Sequence, residues 1–228
     1  MARPRSDIAP RIVHAARERF LLEGVDGASL RQIAADAGTS IGMVYYYFPT
    51  KDELFLAVIE EVYGVLLHEL EEELRRPAPT EERLRRLYAR FAAMSEDELT
   101  MVRLVVREAL ISSSRLTRVM DRFSRGHLPL ILQTVMEGAA SGEITARHHP
   151  AVLVASTFSL AMVPQVMRRL LGGRLPAGID IPSAELLADS LHDVLMHGIA
   201  AAPASPPSAA PAADPDPPPP PKKRARAK

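Results

Sequence analysis

The chain has 228 residues, contains no cysteine, and carries 28 Lys and Arg residues against 28 Asp and Glu, which gives a formal net charge of zero at pH 7. The lack of cysteine excludes disulfides and thiolate metal sites, and we expect no bilayer-spanning helix because no apolar run has the required length. Residues 1–11 lack the apolar core of a signal peptide, so the sequence predicts a soluble cytoplasmic protein.

The first three predicted helices are separated by residues that form turns. Apolar residues at helical spacing predict a first helix that ends near Gly24. Ser29 is a good N-cap for a second helix, and Gly38 can adopt the left-handed conformation that ends this helix. Thr39 or Ser40 can then cap a third helix. Two short helices joined by a glycine turn are typical of a helix-turn-helix, whose second helix enters the DNA major groove.

The third predicted helix carries side chains suited to contacts with DNA. Gly42 has no side chain and allows close approach to a phosphate or a base edge. The hydroxyls of Tyr45 and Tyr46 can donate to phosphate oxygens, whereas Tyr47 can equally belong to the core. Ile41 and Met43 have two open interpretations: they cover neighbouring apolar surface, or they contact thymine methyl groups in the major groove.

A capping-box pattern begins a long fourth helix. Thr50 is the cap and Glu53 lies three residues later, which puts Lys51 in the first turn. Lys51 and the unpaired backbone N–H groups of this turn form an anion site that suits a DNA phosphate. The fourth helix extends to about Arg75, and we expect it to act as a lever between the two halves of the chain.

The segment from Gly38 to Leu54 reads GTSIGMVYYYFPTKDEL, and it resembles the signature of the TetR/AcrR family of transcriptional regulators. The close match covers about residues 8–55. The resemblance implies an all-α fold and a homodimeric repressor, with an N-terminal three-helix DNA-binding domain and a larger C-terminal helical domain for ligand binding and dimerisation. The chain departs from the family at Ile41 and Met43, where many members carry polar residues. By the resemblance, these residues occupy DNA-contacting positions: Ser29, Thr39, Ser40, Gly42, Tyr45, Tyr46, Tyr47 and Lys51.

Charge and composition divide the chain into three predicted parts. Residues 1–51, the DNA-binding domain, carry seven Lys and Arg against five Asp and Glu, and the effector-binding and dimerisation domain, 52–202, carries sixteen against twenty-one. The Pro- and Ala-rich segment 203–228 cannot form a core, and its basic end, KKRARAK, is either a solubilising tail or a tethered contact to DNA phosphates. Arg3 and Arg5 are either solvated or form an arm for the minor groove.

Beyond residue 80 the periodicity predicts helices only. Broad apolar faces on the last two helices predict a homodimer interface, since paired half-sites on DNA need two linked readers. An intramolecular core is the alternative interpretation of these faces. A kink or break is expected at Pro129 in the third of the five helices. The five helices are predicted at about residues 80–94, 96–111, 115–140, 150–171 and 183–200.

The acidic second part is expected to hold a pocket for a small-molecule effector, because such pockets are apolar with a few polar groups. Arg103 and Arg107 lie one turn apart; they either pair with carboxylates such as Glu108 or bind an anionic ligand. The aromatic and methionine candidates can equally be core residues. The candidate pocket residues are Met94, Arg103, Arg107, Leu110, Phe123, Phe158, Met162 and Gln165.

An enzyme is not expected. The sequence contains no nucleophile elbow, phosphate loop or dinucleotide fingerprint, and neither a metal nor another cofactor is predicted. The adjacent His148 and His149 have no ligand partners at metal-site spacing. The family resemblance instead implies a ligand-responsive repressor that a small-molecule effector releases from operator DNA. An activator of the same fold, or a helical partner-binding protein without specific DNA function, remains as an alternative.

Overall fold

The computed structural model describes residues 7–145, 147–172 and 178–199, and within these ranges it contains ten α-helices and no β-strand. The hypotheses about Arg3, Arg5 and the segment 203–228 lie outside the described residues. The helices are α1 Ile8–Gly27, α2 Leu30–Asp36, α3 Ile41–Tyr47, α4 Lys51–Arg75, α5 Thr80–Ala92, α6 Glu96–Ile111, α7 Ser113–Ser124, α8 His127–Ser141, α9 Pro150–Leu170 and α10 Ala184–Ile199.

Helices α1, α2 and α3 pack against one another around a small core. Phe20, Ile33 and Val44, one from each helix, are fully buried there. The predicted turn and helix cap are both present. Gly38 has the left-handed φ of 61°, and the Ser40 side chain accepts a hydrogen bond of 3.4 Å from the Met43 N–H. The three helices therefore form the predicted helix-turn-helix arrangement.

Helix α4 connects these three helices to the rest of the molecule. It begins where the Thr50 hydroxyl accepts a hydrogen bond of 3.1 Å from the Glu53 N–H, which is the predicted N-cap at Thr50. Its first part packs on α1, and it also contacts α5, α6, α7 and α8. Leu54, Leu70 and Leu74 are buried along its length, so α4 belongs to both halves of the structure.

The helix predicted over 115–140 is two helices, and the break lies at Gly126 rather than at Pro129. A Cβ atom at Gly126 would collide with the Tyr63 hydroxyl of α4, so the close packing of α4 requires glycine at this turn. Pro129 is the third residue of α8, where its missing N–H costs no helical hydrogen bond. Pro129 therefore lies in the first turn after the break, the part of a helix that tolerates proline.

The expectation that no helix has the length and composition to span a bilayer is wrong, because α9 meets both criteria. Helix α9 has 21 residues and an 18-residue window with a mean hydropathy of 1.5, of which 28% is buried. Uncharged polar residues such as Ser156 and Gln165 interrupt its apolar run without adding charge. In the structure α9 packs against α5, α8 and α10.

Candidate functional site

Helix α3 presents a surface of tyrosines to solvent. Tyr45 is 53% exposed and Tyr46 is 75% exposed, and Gly42 is exposed on the same helix. Val44 is fully buried and holds the opposite side of α3 in the core. This surface can meet a groove of DNA without disturbing the fold.

The other predicted DNA-binding residues surround this surface with different degrees of burial. Ile41 and Tyr47 are partly buried and pack against the core, and Met43 is also half-buried. Lys51 donates a hydrogen bond of 3.0 Å from Nζ to the Asp26 carbonyl oxygen, so the lysine also ties α4 to the end of α1. Ser29 and Ser40 are exposed, whereas Thr39 is half-buried.

An ionic cluster, in which Arg115 and Glu108 are buried and Asp26 is exposed, joins the helix-turn-helix to the larger domain. The Arg115 guanidinium at the start of α7 binds Asp26 at the end of α1, Asp52 of α4 at 2.9 Å and Glu108 of α6 at 2.7 Å. Glu108 also accepts a hydrogen bond of 3.2 Å from the Val25 N–H. The hydrogen bond from Arg115 holds the pKa of Asp26 below its usual range. Arg115, Asp26, Asp52 and Glu108 together form the Arg115 cluster.

A cavity of about 910 Å³ lies inside the larger domain. Side chains from α4 to α9 line it, and most of them are apolar. Its size falls in the range of small-molecule sites, roughly 300–1,000 Å³. The apolar lining includes Leu66, Leu70, Phe91, Met101, Val102, Val105, Leu116, Met120, Leu128, Leu132 and Val154.

Half of the predicted pocket residues line this cavity: Met94, Phe123, Phe158 and Met162. The others lie elsewhere, because they occupy other faces of α6 and α9. Arg103 is exposed, and Leu110 is 85% exposed. Arg107 donates a hydrogen bond of 3.1 Å to the Leu21 carbonyl oxygen, and Gln165 donates a hydrogen bond of 2.8 Å to the Ala184 carbonyl oxygen.

Sequence reasoning missed His127, which lines the cavity and is 3% exposed. Its Nδ1 lies 2.8 Å from the Tyr63 hydroxyl oxygen. The same oxygen accepts a hydrogen bond of 3.1 Å from the backbone N–H of His127. Its Nε2 is buried and has no hydrogen-bond partner. No sequence signal points to this residue, because a single histidine beside a helix start has no distinguishing pattern.

Burial, together with the charge of Arg122, lowers the pKa of His127 to about 4 from the ordinary value of 6.5. The unfolded chain therefore binds a proton between pH 6.5 and 4 that the folded protein does not bind, and the free energy of unfolding should fall as the pH drops through this window. In a His127→Phe variant we expect a shallower fall, measured by chemical denaturation at several pH values. A slope equal to that of the wild type would contradict this assignment. His192, whose pKa burial also lowers, is present in both proteins and does not affect the difference.

The described residues contain no group of three or more His, Cys, Asp or Glu residues that could hold a metal ion. His149 serves instead as the N-cap of α9, where its Nδ1 accepts a hydrogen bond of 3.2 Å from the Ala151 N–H. His148 is exposed beside it.

Comparisons with known proteins agree with the helix-turn-helix. The family model described as "Bacterial regulatory proteins, tetR family" matches residues 12–58. The fatty acid metabolism regulator protein of Bacillus subtilis (strain 168) is 24% identical over 133 residues, which cover 58% of this chain and 69% of that protein. The HTH-type transcriptional repressor NicS of Pseudomonas putida is 38% identical over 79 residues, which cover 34% of this chain and 37% of that protein.

The likeness to solved structures extends through the larger domain. The crystal structure of the transcriptional regulator FadR from Bacillus subtilis in complex with stearoyl-CoA aligns with a TM-score of 0.68 at 20% sequence identity, over 83% of this chain and 98% of that one. At this identity the likeness shows a shared fold.

The family match covers most of α1, all of α2 and α3 and the start of α4, which are the helices that expose the tyrosine surface. Regulators of this kind bind operator DNA and are not enzymes. The architecture is the expected one, with an N-terminal three-helix DNA-binding domain and a larger helical domain. Residues 12–58 therefore carry a DNA-binding domain of the TetR family of bacterial regulatory proteins.

Proposed function

We propose that the chain is a cytoplasmic, homodimeric repressor that an apolar small molecule releases from its operator. The observation that carries this proposal is the position of α4. This helix begins beside the DNA-reading helix, and farther along it Tyr63, Leu66 and Leu70 line the cavity. A molecule in the cavity therefore contacts the element from which the DNA-binding domain extends.

The DNA-binding part of the proposal assigns residues 1–51 to the DNA-binding domain and 52–202 to effector binding and dimerisation. Tyr45 and Tyr46 contact phosphates because they are exposed and carry donor hydroxyls. The partial burial of Ile41 and Met43 leaves part of each side chain for bases. The other proposed contact residues are Ser29, Thr39, Ser40, Gly42, Tyr47 and Lys51.

The proposed dimer interface consists of α9 and α10. These helices pack on each other, yet large apolar side chains on both remain in solvent. Val163, Met167 and Leu170 of α9 are 45%, 45% and 49% exposed, and Leu186 and Val194 of α10 are 57% and 60% exposed. Their spacing of three, four and eight residues puts each set on one helical face. A two-fold contact would bury these faces and link two DNA-reading helices at a fixed separation.

The proposed effector is an elongated molecule with a long apolar part. The predominantly apolar lining supports this class, and so does the likeness to FadR, a structure described in complex with stearoyl-CoA. An effector that binds better to a dimer with tilted α4 helices increases the population of that dimer. In this dimer the two α3 helices no longer have the separation that DNA binding requires. Because such coupling is reciprocal, operator DNA should weaken effector binding by the same factor.

We expect the purified full-length protein to protect a palindromic site in the DNA upstream of its own coding sequence. The measurement is footprinting over a salt series, followed by addition of long-chain acyl compounds. Loss of protection at a constant salt concentration would support release by an effector. Salt-sensitive binding without a protected site would contradict the assignment as an operator-specific repressor. An increase in protection would favour an activator or a co-repressor mode.

A further inference from the structure

The polar atoms around His127 restrict the chemistry of the effector. We propose that the effector binds with an uncharged oxygen acceptor, such as an ester, thioester or amide carbonyl, against the Nε2–H of His127, and that the cavity rejects ionised carboxylates. This inference rests on the proposed function, because it concerns the same cavity. It adds a specificity-determining residue and the charge state of the group that this residue recognises.

The hydrogen bonds of Tyr63 determine which nitrogen of His127 carries the proton. The Tyr63 hydroxyl accepts from the His127 backbone N–H at 3.1 Å, and its own hydrogen needs an acceptor. Among the described residues that acceptor is Nδ1 of His127, at 2.8 Å. A neutral imidazole that accepts at Nδ1 carries its proton at Nε2. His127 is therefore a hydrogen-bond donor at Nε2.

No acceptor in the described part of the chain pairs with the Nε2–H of His127. The imidazole is stacked on the Phe158 ring at 4.8 Å between centroids and lies 4.9 Å from the Phe123 ring. All three residues line the cavity. A buried donor without a partner destabilises a protein, so a ligand that brings an acceptor to Nε2 recovers this loss on binding. A hydrocarbon of the same length does not.

The charges around the cavity exclude an anion. Among the described residues that line the cavity there is no Lys or Arg, whereas the Glu98 carboxylate is present. The other lining imidazole, His149, accepts the hydrogen bond of the Ala151 N–H at Nδ1. Arg90 pairs with Glu98, and Arg122, which lies over the Tyr63 ring at 4.7 Å, is bound to Glu60 at 2.6 Å. An ionised carboxylate would enter an apolar space without a cation of its own, which is strongly unfavourable. The neutral His127 cannot supply that charge.

The test is displacement of a fluorescent apolar dye from the full-length protein at pH 8 by methyl dodecanoate, dodecanoate and dodecane. We expect the ester to displace the dye at a concentration about fivefold below that of dodecane, because one hydrogen bond is gained. Ionised dodecanoate should be at least about tenfold weaker than the ester. In His127→Phe the ester should lose its advantage over dodecane. The matched variant His68→Phe, at an exposed position of α4, should keep it.

A second readout does not depend on a ligand. Nitrogen-15 chemical shifts of His127 in the folded protein should show protonation at Nε2 and not at Nδ1. The proposal is overturned if Nδ1 carries the proton, if dodecanoate matches the ester, or if His127→Phe retains the preference for the ester. Equal binding of ester and dodecane would reject this inference but leave an apolar effector site in place. Failure of all three probes to displace the dye would overturn the effector site itself.

Discussion

Replacement of Arg115 by alanine is expected to lower the free energy of unfolding by about 3–5 kcal/mol, the usual effect of removing one partner of a buried ion pair. The Arg115 side chain is 8% exposed and that of Glu108 is 2% exposed. The variant therefore leaves the Glu108 carboxylate charged, buried and short of its strongest partner. Chemical denaturation at pH 7 measures the effect.

Two variants separate this mechanism from a general weakening of α7. Arg118→Ala, at an exposed position one turn further along α7, should change the stability by less than about 0.5 kcal/mol. The double variant Arg115→Met/Glu108→Gln removes both charges and keeps an amide oxygen that can accept from the Val25 N–H. It should regain most of the stability, because neutral replacements of buried pairs often cost little. A double variant as unstable as Arg115→Ala would contradict the charge explanation.

The Arg115 cluster also connects the cavity to the DNA-binding domain. Leu116, the next residue of α7, lines the cavity, while Arg115 holds Asp26 and Asp52 at the base of the helix-turn-helix. A ligand that displaces α7 would therefore change the position of both carboxylates. If the double variant is stable but its operator affinity no longer responds to an effector, the cluster is the coupling element.

The second large effect is expected at Tyr46 on the DNA-reading surface. Tyr46→Ala should weaken operator binding by roughly 10- to 100-fold, because a hydrogen bond to a charged phosphate contributes about 1.5–3 kcal/mol. The melting temperature should stay close to that of the wild type, since Tyr46 is 75% exposed. Fluorescence anisotropy with operator DNA over a salt series measures the affinity.

Tyr46→Phe is the matched control, because it keeps the ring and removes only the hydroxyl. If the hydroxyl contacts a phosphate, Tyr46→Phe should lose nearly as much affinity as Tyr46→Ala, and for every operator sequence alike. If the ring contacts bases, Tyr46→Phe should bind normally. Unchanged affinity in both variants would remove Tyr46 from the DNA interface.

Features that depend on a few neighbouring residues could be predicted from the sequence. The glycine turn at Gly38, the cap at Ser40 and the helix start at Thr50 involve residues no more than four positions apart. Ser95 and Glu98 likewise form the capping box that their spacing indicates. Helical periodicity and these signals were sufficient for the all-α fold, and the aromatic signature was sufficient for the DNA-binding class.

The details of the larger domain depend on contacts between distant residues. The break between α7 and α8 lies at Gly126, where Tyr63, 63 positions earlier, occupies the space that a side chain would need. Arg107 and Gln165 are indistinguishable in sequence from pocket residues, but they bond backbone carbonyls at Leu21 and Ala184.

The sequence by itself determined the helical class, the helix-turn-helix and the composition of its exposed surface, because local backbone preferences and short-range spacing encode them. Only the tertiary structure decided which side chains enclose the cavity, which ring nitrogen of His127 carries the proton, and how Arg115 joins α7 to α1 and α4. Asp26 and Arg115 are 89 positions apart, and only packing of the helices brings such groups within hydrogen-bond distance. Burial then changes their chemistry, since it lowers the pKa of His127 and leaves the Glu108 carboxylate with Arg115 as its ionic partner.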